Sequence, residues 1–289
     1  MKKILVTLLA VFIACSFSFA QQKEKRDTLF VRVLNKYVLE DGKKTSDYYA
    51  AGQEFRDSLG RLINEINFDD VTHMPTTYYR YTYNGMNRIG EEHFANNRMV
   101  WRISLGYDGV GALITKKVEK VSPGDTVQYL SIVYKNNPNG KPKEEVGTTS
   151  NGKLAYKAKF TYDKRGELLQ KKVSVKSISP MDSILLLKRT PIYDSLGRII
   201  SESLAINKVG AVDVSSRTEF KFGKEGFLSE LVKFDATGKL ILKQEHIYNI
   251  QRKRIQEVKS FDGSGKLLEW RGYRYERYGS QPYMIRVID

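Results

Sequence analysis

Between Phe222 and Trp270 the chain repeats one local pattern, an aromatic residue, a short polar turn and then Leu or Ile, in the words FGKEGFL, FDATGKL, YNIQRKRI and FDGSGKLLEW. The aromatic positions are Phe222, Phe234, Tyr248 and Phe261, spaced 12, 14 and 13 residues apart. That spacing leaves room for one strand between successive turns and for no helix of ordinary length, so the stretch predicts a run of β-hairpins. A three-residue loop such as Lys164-Arg165-Gly166 is commonly a type I turn whose third residue is left-handed, which glycine enters without steric cost. Asp163 then caps the turn through its side chain. This register places Tyr162 opposite Leu168, and likewise Tyr107 opposite Leu113, Tyr193 opposite Ile199, Phe222 opposite Leu228, Phe234 opposite Leu240 and Phe261 opposite Leu267. Such aromatic–aliphatic pairs contribute about 0.2 to 1 kcal/mol each, so their repetition matters more than any one of them.

The pattern extends well upstream. Asp57-Ser58-Leu59-Gly60-Arg61-Leu62-Ile63 returns as Asp194-Ser195-Leu196-Gly197-Arg198-Ile199-Ile200, which points to duplication of a structural unit. In the first copy Arg56 stands at the aromatic position, which predicts a corner displaced by one residue with Phe55 packing instead. After Tyr83, Asn87 is expected in the place of the glycine. After Tyr248, Arg252 stands there and predicts a different loop. Turns of a second kind are expected at Ser122-Pro123-Gly124-Asp125 and Ser179-Pro180-Met181-Asp182, and a longer, irregular loop from Asn136 to Pro142. Counting arms from the first strand, Thr28 to Val38, predicts about 18 strands in one antiparallel meander.

The predicted strands have unlike faces. Tyr156, Ala158 and Phe160 alternate with Lys157 and Lys159; Trp101, Ile103 and Leu105 with Arg102 and Ser104; Thr218, Phe220 and Phe222 with Arg217, Glu219 and Lys221. On these strands one face is aromatic and apolar, the other largely basic, while others, such as Ala112 to Val121 and Glu167 to Ile178, are mixed. No amphipathic helix is available to cover the apolar face. A flat sheet of this size would span about 85 Å, and open sheets beyond about ten strands curl or split. The expectation is an all-β chain, a long antiparallel β-meander of tandem hairpin repeats in a single curved or rolled sheet with its apolar face inside.

The corners Tyr107-Asp108, Tyr162-Asp163, Tyr193-Asp194 through Arg198-Ile199 and Phe234-Asp235 through Lys239-Leu240 resemble the YD repeats of RHS-type bacterial surface proteins and related secreted proteins of Bacteroidetes. The Gly-Lys-Leu turns are also similar to variant MORN repeats. The YD resemblance implies a β-rich shell or sheet at the cell envelope, sometimes tied to carbohydrate binding. It raises toxin delivery as well, but only Glu276 to Asp289 follow the last arm, too little for an effector domain.

Residues 1–20 have the order of a secretory signal: Lys2 and Lys3, an apolar run from Ile4 to Phe19, then a small-residue site ending at Ala20. Residues 21–289 are then a single repeat domain. Cys15, the only cysteine, loosely resembles a lipoprotein box and offers lipid anchoring as an alternative. Without it the exported chain has neither disulfides nor thiolate ligands. Removing Lys2 and Lys3 from 48 basic residues leaves 46 against 33 acidic ones, a net +13, which suits anionic partners.

Catalytic signals are weak. His73, His93 and His246 stand alone, although Glu91-Glu92-His93 and Asp69 through His73 hold potential metal donors. Gly263-Ser264-Gly265-Lys266 leads into a strand pattern and is a hairpin corner, not a phosphate loop. The tyrosines of Thr76 to Tyr83 suit strand packing, or stacking on sugars or bases, although an exported protein has less opportunity to meet nucleic acid.

The residues therefore point to an exported, non-catalytic scaffold with no cofactor and no metal, in the periplasm, on the outer surface or outside the cell. Its expected partner is an anionic glycan or envelope protein, not nucleic acid, and it has no transmembrane segment after signal cleavage. The candidate binding residues are Arg98, Arg102, Lys157, Lys159, Arg217 and Lys221. The alternatives are a structural or secretion-carrier module that encloses another polypeptide, and a hydrolase assembled from distant strands.

Overall fold

A computed structural model of the chain describes residues 29–121, 128–175, 184–208 and 214–278. The predicted signal segment and both Ser-Pro turns fall outside the described residues. No helix occurs among them. Leu29–Glu40, Lys43–Arg56, Leu62–Phe68, Pro75–Asn84, Asn87–Ala95 and Arg98–Tyr107 form strands β1 to β6. Leu113–Lys120, Gln128–Asn136, Pro142–Thr149, Leu154–Tyr162, Leu168–Val175 and Ile184–Tyr193 form β7 to β12. Ile199–Lys208, Val214–Phe222, Leu228–Asp235, Leu240–Asn249, Arg254–Asp262 and Leu267–Tyr278 form β13 to β18.

Each strand pairs antiparallel with its sequence neighbours, and β1 pairs with β18 from Leu29↔Tyr278 to Lys36↔Arg271. The 18 strands thus form a closed up-and-down barrel, with no exposed sheet edge. The predicted rolled meander is confirmed, and closure is the addition. At ordinary strand spacing and tilt, a circular barrel of this size is about 35 Å across between backbones, wide enough to be hollow. Strands pack substantially only against their ladder neighbours, so no described strand fills the bore.

All six predicted aromatic–aliphatic pairs are present, each beside a bulge that closes the corner. The corner after β10 shows why. Gly166 is left-handed at φ 83°, its N–H donates to the Asp163 carbonyl at 3.0 Å, and Asp163 Oδ1 accepts the N–H groups of Arg165 and Glu167 at 2.9 and 2.8 Å. The two Asp-Ser-Leu-Gly-Arg copies have one geometry. Asp57 caps Leu59 and Arg61 at 3.0 and 2.9 Å and takes Arg61 Nε at 2.6 Å, while Asp194 caps Leu196 and Arg198 at 2.9 Å each and takes Arg198 Nε at 2.7 Å.

Three local expectations are corrected. Arg56 keeps the ordinary register opposite Leu62, with Phe55 opposite Asn64, because Asp57 closes the turn whatever side chain precedes it. After Tyr83 the turn is the two-residue Gly85-Met86, and Gly85 takes the left-handed position at φ 58°, so Asn87 is a strand residue. Residues 137–141 form an ordinary corner in which Asn137 replaces the aspartate and Gly140 lies at φ 78°. The loop after Tyr248 does differ, with Lys253 left-handed at φ 50°.

Side-chain exposure alternates along most strands. Val118, Tyr156 and Ala158 are 3%, 3% and 1% exposed, whereas the side chains of Lys135, Lys159 and Lys221, on the opposite face, are 74%, 79% and 67% exposed. A single-layer closed wall has no second layer to cover one face, so the crowded face is the concave one. On β1 and β3 register puts the buried Val31, Val33 and Ile66 on the outer face with Tyr78, whereas on β6 to β11 the aromatic face lines the bore. Its densest cluster gathers Val118, Leu130, Ile132, Tyr156, Ala158 and Val173 on β7 to β11, with Trp101, Ile103, Tyr134 and Phe160 against it.

Candidate functional site

The corners that follow even-numbered strands share one mouth of the barrel, where β1 begins and β18 ends; Phe234 and Phe261 turn at the other. At the shared mouth each unit is fastened to the preceding one. Hydroxyl groups of Tyr83, Tyr107, Tyr162 and Tyr275 donate to the carbonyls of Leu62, Arg88, Pro142 and Ile255 at 2.8, 2.7, 2.8 and 3.1 Å. Asn136 holds the equivalent place after β8, and its amide donates to Leu113 O at 2.9 Å. Basic residues of one corner lie over the ring of the next: Arg61 over Tyr83 at 5.0 Å, Arg165 over Tyr193 at 4.6 Å and Arg198 over Phe222 at 4.4 Å. The Tyr193 hydroxyl donates to Asp163 Oδ2 at 2.5 Å, and that bond pushes the phenol up to about 12. These side chains serve the wall.

The bore also carries charge, much of it paired. Arg32 bonds Glu54, Arg189 bonds Glu202, and Lys171 reaches the buried Glu145 at 2.9 Å. Lys36 links Asp70 at 2.8 Å and Glu269 at 3.2 Å across the closing seam. Burial, followed by the charges of Glu65 and Glu91, holds the Tyr81 phenol well above its ordinary value.

The histidines are separate. His73 is a left-handed turn residue, φ 58°, with its ring 4.6 Å from Tyr49. His93 stacks on Tyr79 at 4.4 Å, and its neighbour Glu92 points to the other face, towards Arg80 and Arg102. His246 sits opposite Val258, and burial pushes its pKa down. Among the described residues no three His, Cys, Asp or Glu side chains gather as metal ligands. Tyr79 and Tyr81 face the bore, while Tyr78 lies on the outer wall and donates to Asn64 Oδ1 at 2.8 Å, so the tyrosine arm is used in packing.

Arg102, Lys157, Lys159, Arg217 and Lys221 lie on the outer face of β6, β10 and β14, four strands apart, so the fold does not bring them together. Arg98 begins β6, exposed. Several have adjacent carboxylates: Arg102 has Glu92 at 3.5 Å, Arg217 has Glu219 at 3.3 Å, and Lys221 bonds Glu230. Lys159 differs. Cross-strand register aligns Lys135, Glu144, Lys159 and Lys172 in one row over β8 to β11. Lys135 and Lys159 share Glu144 at 4.0 and 3.9 Å, and Lys172 has no carboxylate partner among the described residues. Lys157 lies two residues along β10 from this row, and on β12 Lys188 stands opposite Gln170, two residues along β11 from Lys172. Lys135 and Lys172 carry no signal in the sequence that joins them to Lys159; only the register, set by the corner bulges, aligns them.

The outer wall is unlike a lipid-facing surface. Arg102, Lys117, Glu119, Lys157, Lys159 and Lys172 occupy strand interiors, and a cation at the bilayer midplane on such a wall costs about 2 to 4 kcal/mol. No helix among the described residues is long and apolar enough to cross a membrane.

No protein-family model matches the chain, and no curated protein matches it. Solved structures similar to it include the crystal structure of TcdB2-TccC3-Cdc42, at 12% identity and a TM-score of 0.36, covering 82% of this chain and 15% of that one. A porin-like protein from Bacteroides uniformis matches at 10% identity and a TM-score of 0.41, covering 85% and 97%. Another from Bacteroides vulgatus matches at 9% and 0.35, covering 84% and 97%. Likeness at this level is one of β-architecture, and this chain spans about a seventh of the TcdB2-TccC3 chain. What the barrel does has to be sought in its own side chains.

Proposed function

We propose that this chain is an exported, non-catalytic barrel scaffold of the bacterial envelope whose outer wall holds an anionic partner, foremost a glycan. The observation that carries this reading is the row Lys135, Glu144, Lys159 and Lys172, in which three cations stand with one carboxylate on an exposed face, two of them sharing it. Convergent positive charge without matching acids attracts polyanions and speeds their capture. The leader-like first 20 residues and the resemblance of the corners to YD repeats support export to the envelope. The charges at the outer wall favour a water-surrounded barrel over one spanning lipid. The non-catalytic part rests on the use of ionisable groups as wall fasteners, as in Arg32 with Glu54 and Lys171 with Glu145.

The test is retention of the full exported chain on dextran sulfate beads, with neutral dextran as control. Retention should fall with added salt and be largely lost when Lys135, Lys159 and Lys172 are changed together to Ser. Changing Arg102 and Lys221, whose charges are locally matched, should have little effect. Retention unaffected by the triple change would sink the row as the binding element.

A second reading, a carrier that encloses another polypeptide, is favoured by a wide bore that no described strand fills. Copurification of a polypeptide resistant to added protease until the barrel is unfolded would support it.

A further inference from the structure

Beside the lysine row, on β12 to β15, the outer wall dips into a groove of about 320 Å³. Register builds it from two cross-strand rows, Lys188↔Ala205↔Ser215 and Thr190↔Ser203↔Arg217. The floor is made of small side chains, three of them hydroxyls, and a cation stands at each diagonal corner. Arg217 is held by the Phe234 ring, 4.6 Å from its guanidinium carbon, and by Glu219 at 3.3 Å, while Lys188 has no carboxylate partner among the described residues. The three hydroxyls likewise have no hydrogen-bond partner there, which leaves their donors to the groove. Asp235, at one end, is already committed to its own turn, accepting Thr237 N–H at 2.8 Å, Thr237 Oγ1 at 2.7 Å and Lys239 N–H at 3.0 Å.

Two cations flanking a bed of hydroxyl donors match the hydrogen-bonding needs of an oxyanion. We propose that this groove is a discrete subsite for one acidic sugar unit of a linear polysaccharide, with the unit's sulfate, phosphate or carboxylate set between Lys188 and Arg217. This deepens the outer-wall reading above and rests on it. A sugar is favoured over a protein side chain because the apolar lining is limited to Ala205, Ala236 and Leu204, whose side chain the register turns to the other face, whereas protein interfaces centre on buried aromatic or aliphatic anchors. A polymer is favoured because Lys188, opposite Gln170, leads on to Lys172 by a diagonal step of about 7 to 8 Å, and Lys172 pairs directly with Lys159, so the cations continue from the groove along the wall. Sequence reading selected Arg217 but had no means of placing Lys188, Thr190, Ser203 and Ser215 around it.

The experiment titrates the full exported chain calorimetrically with glucuronic acid, glucose 6-sulfate and glucose 6-phosphate, with glucose as the neutral probe. It uses the wild type, the groove variants Ser203→Val with Ser215→Val and Arg217→Gln, and the row variant Lys159→Ser with Lys172→Ser. At least one acidic sugar should bind and glucose should not; which acid binds best identifies the anion. Each groove variant should weaken that binding about tenfold, the value of one charge-assisted hydrogen bond. Retention of the groove variants on dextran sulfate beads through the lysine row shows that they are folded. Acidic sugars that bind the groove variants as tightly as the wild type, or that bind nowhere while dextran sulfate binding persists, overturn the subsite and leave the lysine row standing. Loss of dextran sulfate binding by the wild type itself overturns the outer-wall reading, and the subsite with it.

Discussion

Gly147 on β9 tests whether the bore lining is a packed surface. It lies opposite Ile132 on one side and Tyr156 on the other. A methyl group added at Gly147 would meet ring carbons of Tyr156 at 2.3, 2.7 and 2.9 Å, where ordinary contact begins near 3.4 Å. The ring is 3% exposed inside the densest cluster of the wall, so it has little room to retreat. Overpacking of this kind costs about 1 to 3 kcal/mol. Tyr156→Ala costs about 3 to 5 kcal/mol by itself, but it empties the space above the glycine. In that background Gly147→Ala should be neutral or gain up to about 1 kcal/mol from reduced chain entropy. The double-mutant cycle should therefore show about 1 to 4 kcal/mol of coupling. In urea unfolding followed by far-UV circular dichroism, a loss of 2 kcal/mol at an m-value of about 3 kcal/mol/M moves the midpoint by about 0.7 M. Equal midpoint shifts for Gly147→Ala with and without the tyrosine would refute the packing argument.

Gly152→Ala is the converse case: nothing lies within 4 Å, but φ is +76°, so it should cost about 1 to 2 kcal/mol, the same with or without Tyr156, in the same urea assay. The Tyr193 hydroxyl on Asp163, Thr237 on Asp235 and Ser264 on Asp262 hold these carboxyls below their ordinary 3.8. Their contribution to stability is present in full above that value and lost as pH falls through the lowered folded values; Tyr193→Phe should flatten that acid limb in thermal melts, and an unchanged limb would exclude the Asp163 corner as its source. For His246, burial holds the folded pKa below 6.5, so stability should fall as pH drops from 6.5 towards that lower value and then level; His246→Gln should remove this slope.

The strands, corners and alternation of faces were legible in the sequence because each depends on neighbours a few residues apart. An Asp three residues before a Gly closes the same turn at Asp57, Asp163 and Asp194, and the pleat then sends Tyr156 and Lys157 to opposite faces. Asn137 and Gly140 were missed because asparagine can cap a turn as aspartate does, without the Asp-Gly signature. Arg56 keeps the ordinary register because Asp57 and Gly60 set that corner, and the residue before the cap does not.

What the sequence by itself determined is a rolled meander with an aromatic side and a basic side, since local turn chemistry and period-two patterning suffice for that. The tertiary structure alone decided that the sheet closes, through β1 and β18, whose partners lie more than two hundred residues apart and carry no local mark of each other. It also decided which cations are matched: Lys221 and Lys159 look alike in sequence, but register places Glu230 beside the first and makes the second share Glu144 with Lys135. Charge balance on a sheet is a property of cross-strand neighbours, and those are fixed only when every bulge around the barrel has been counted.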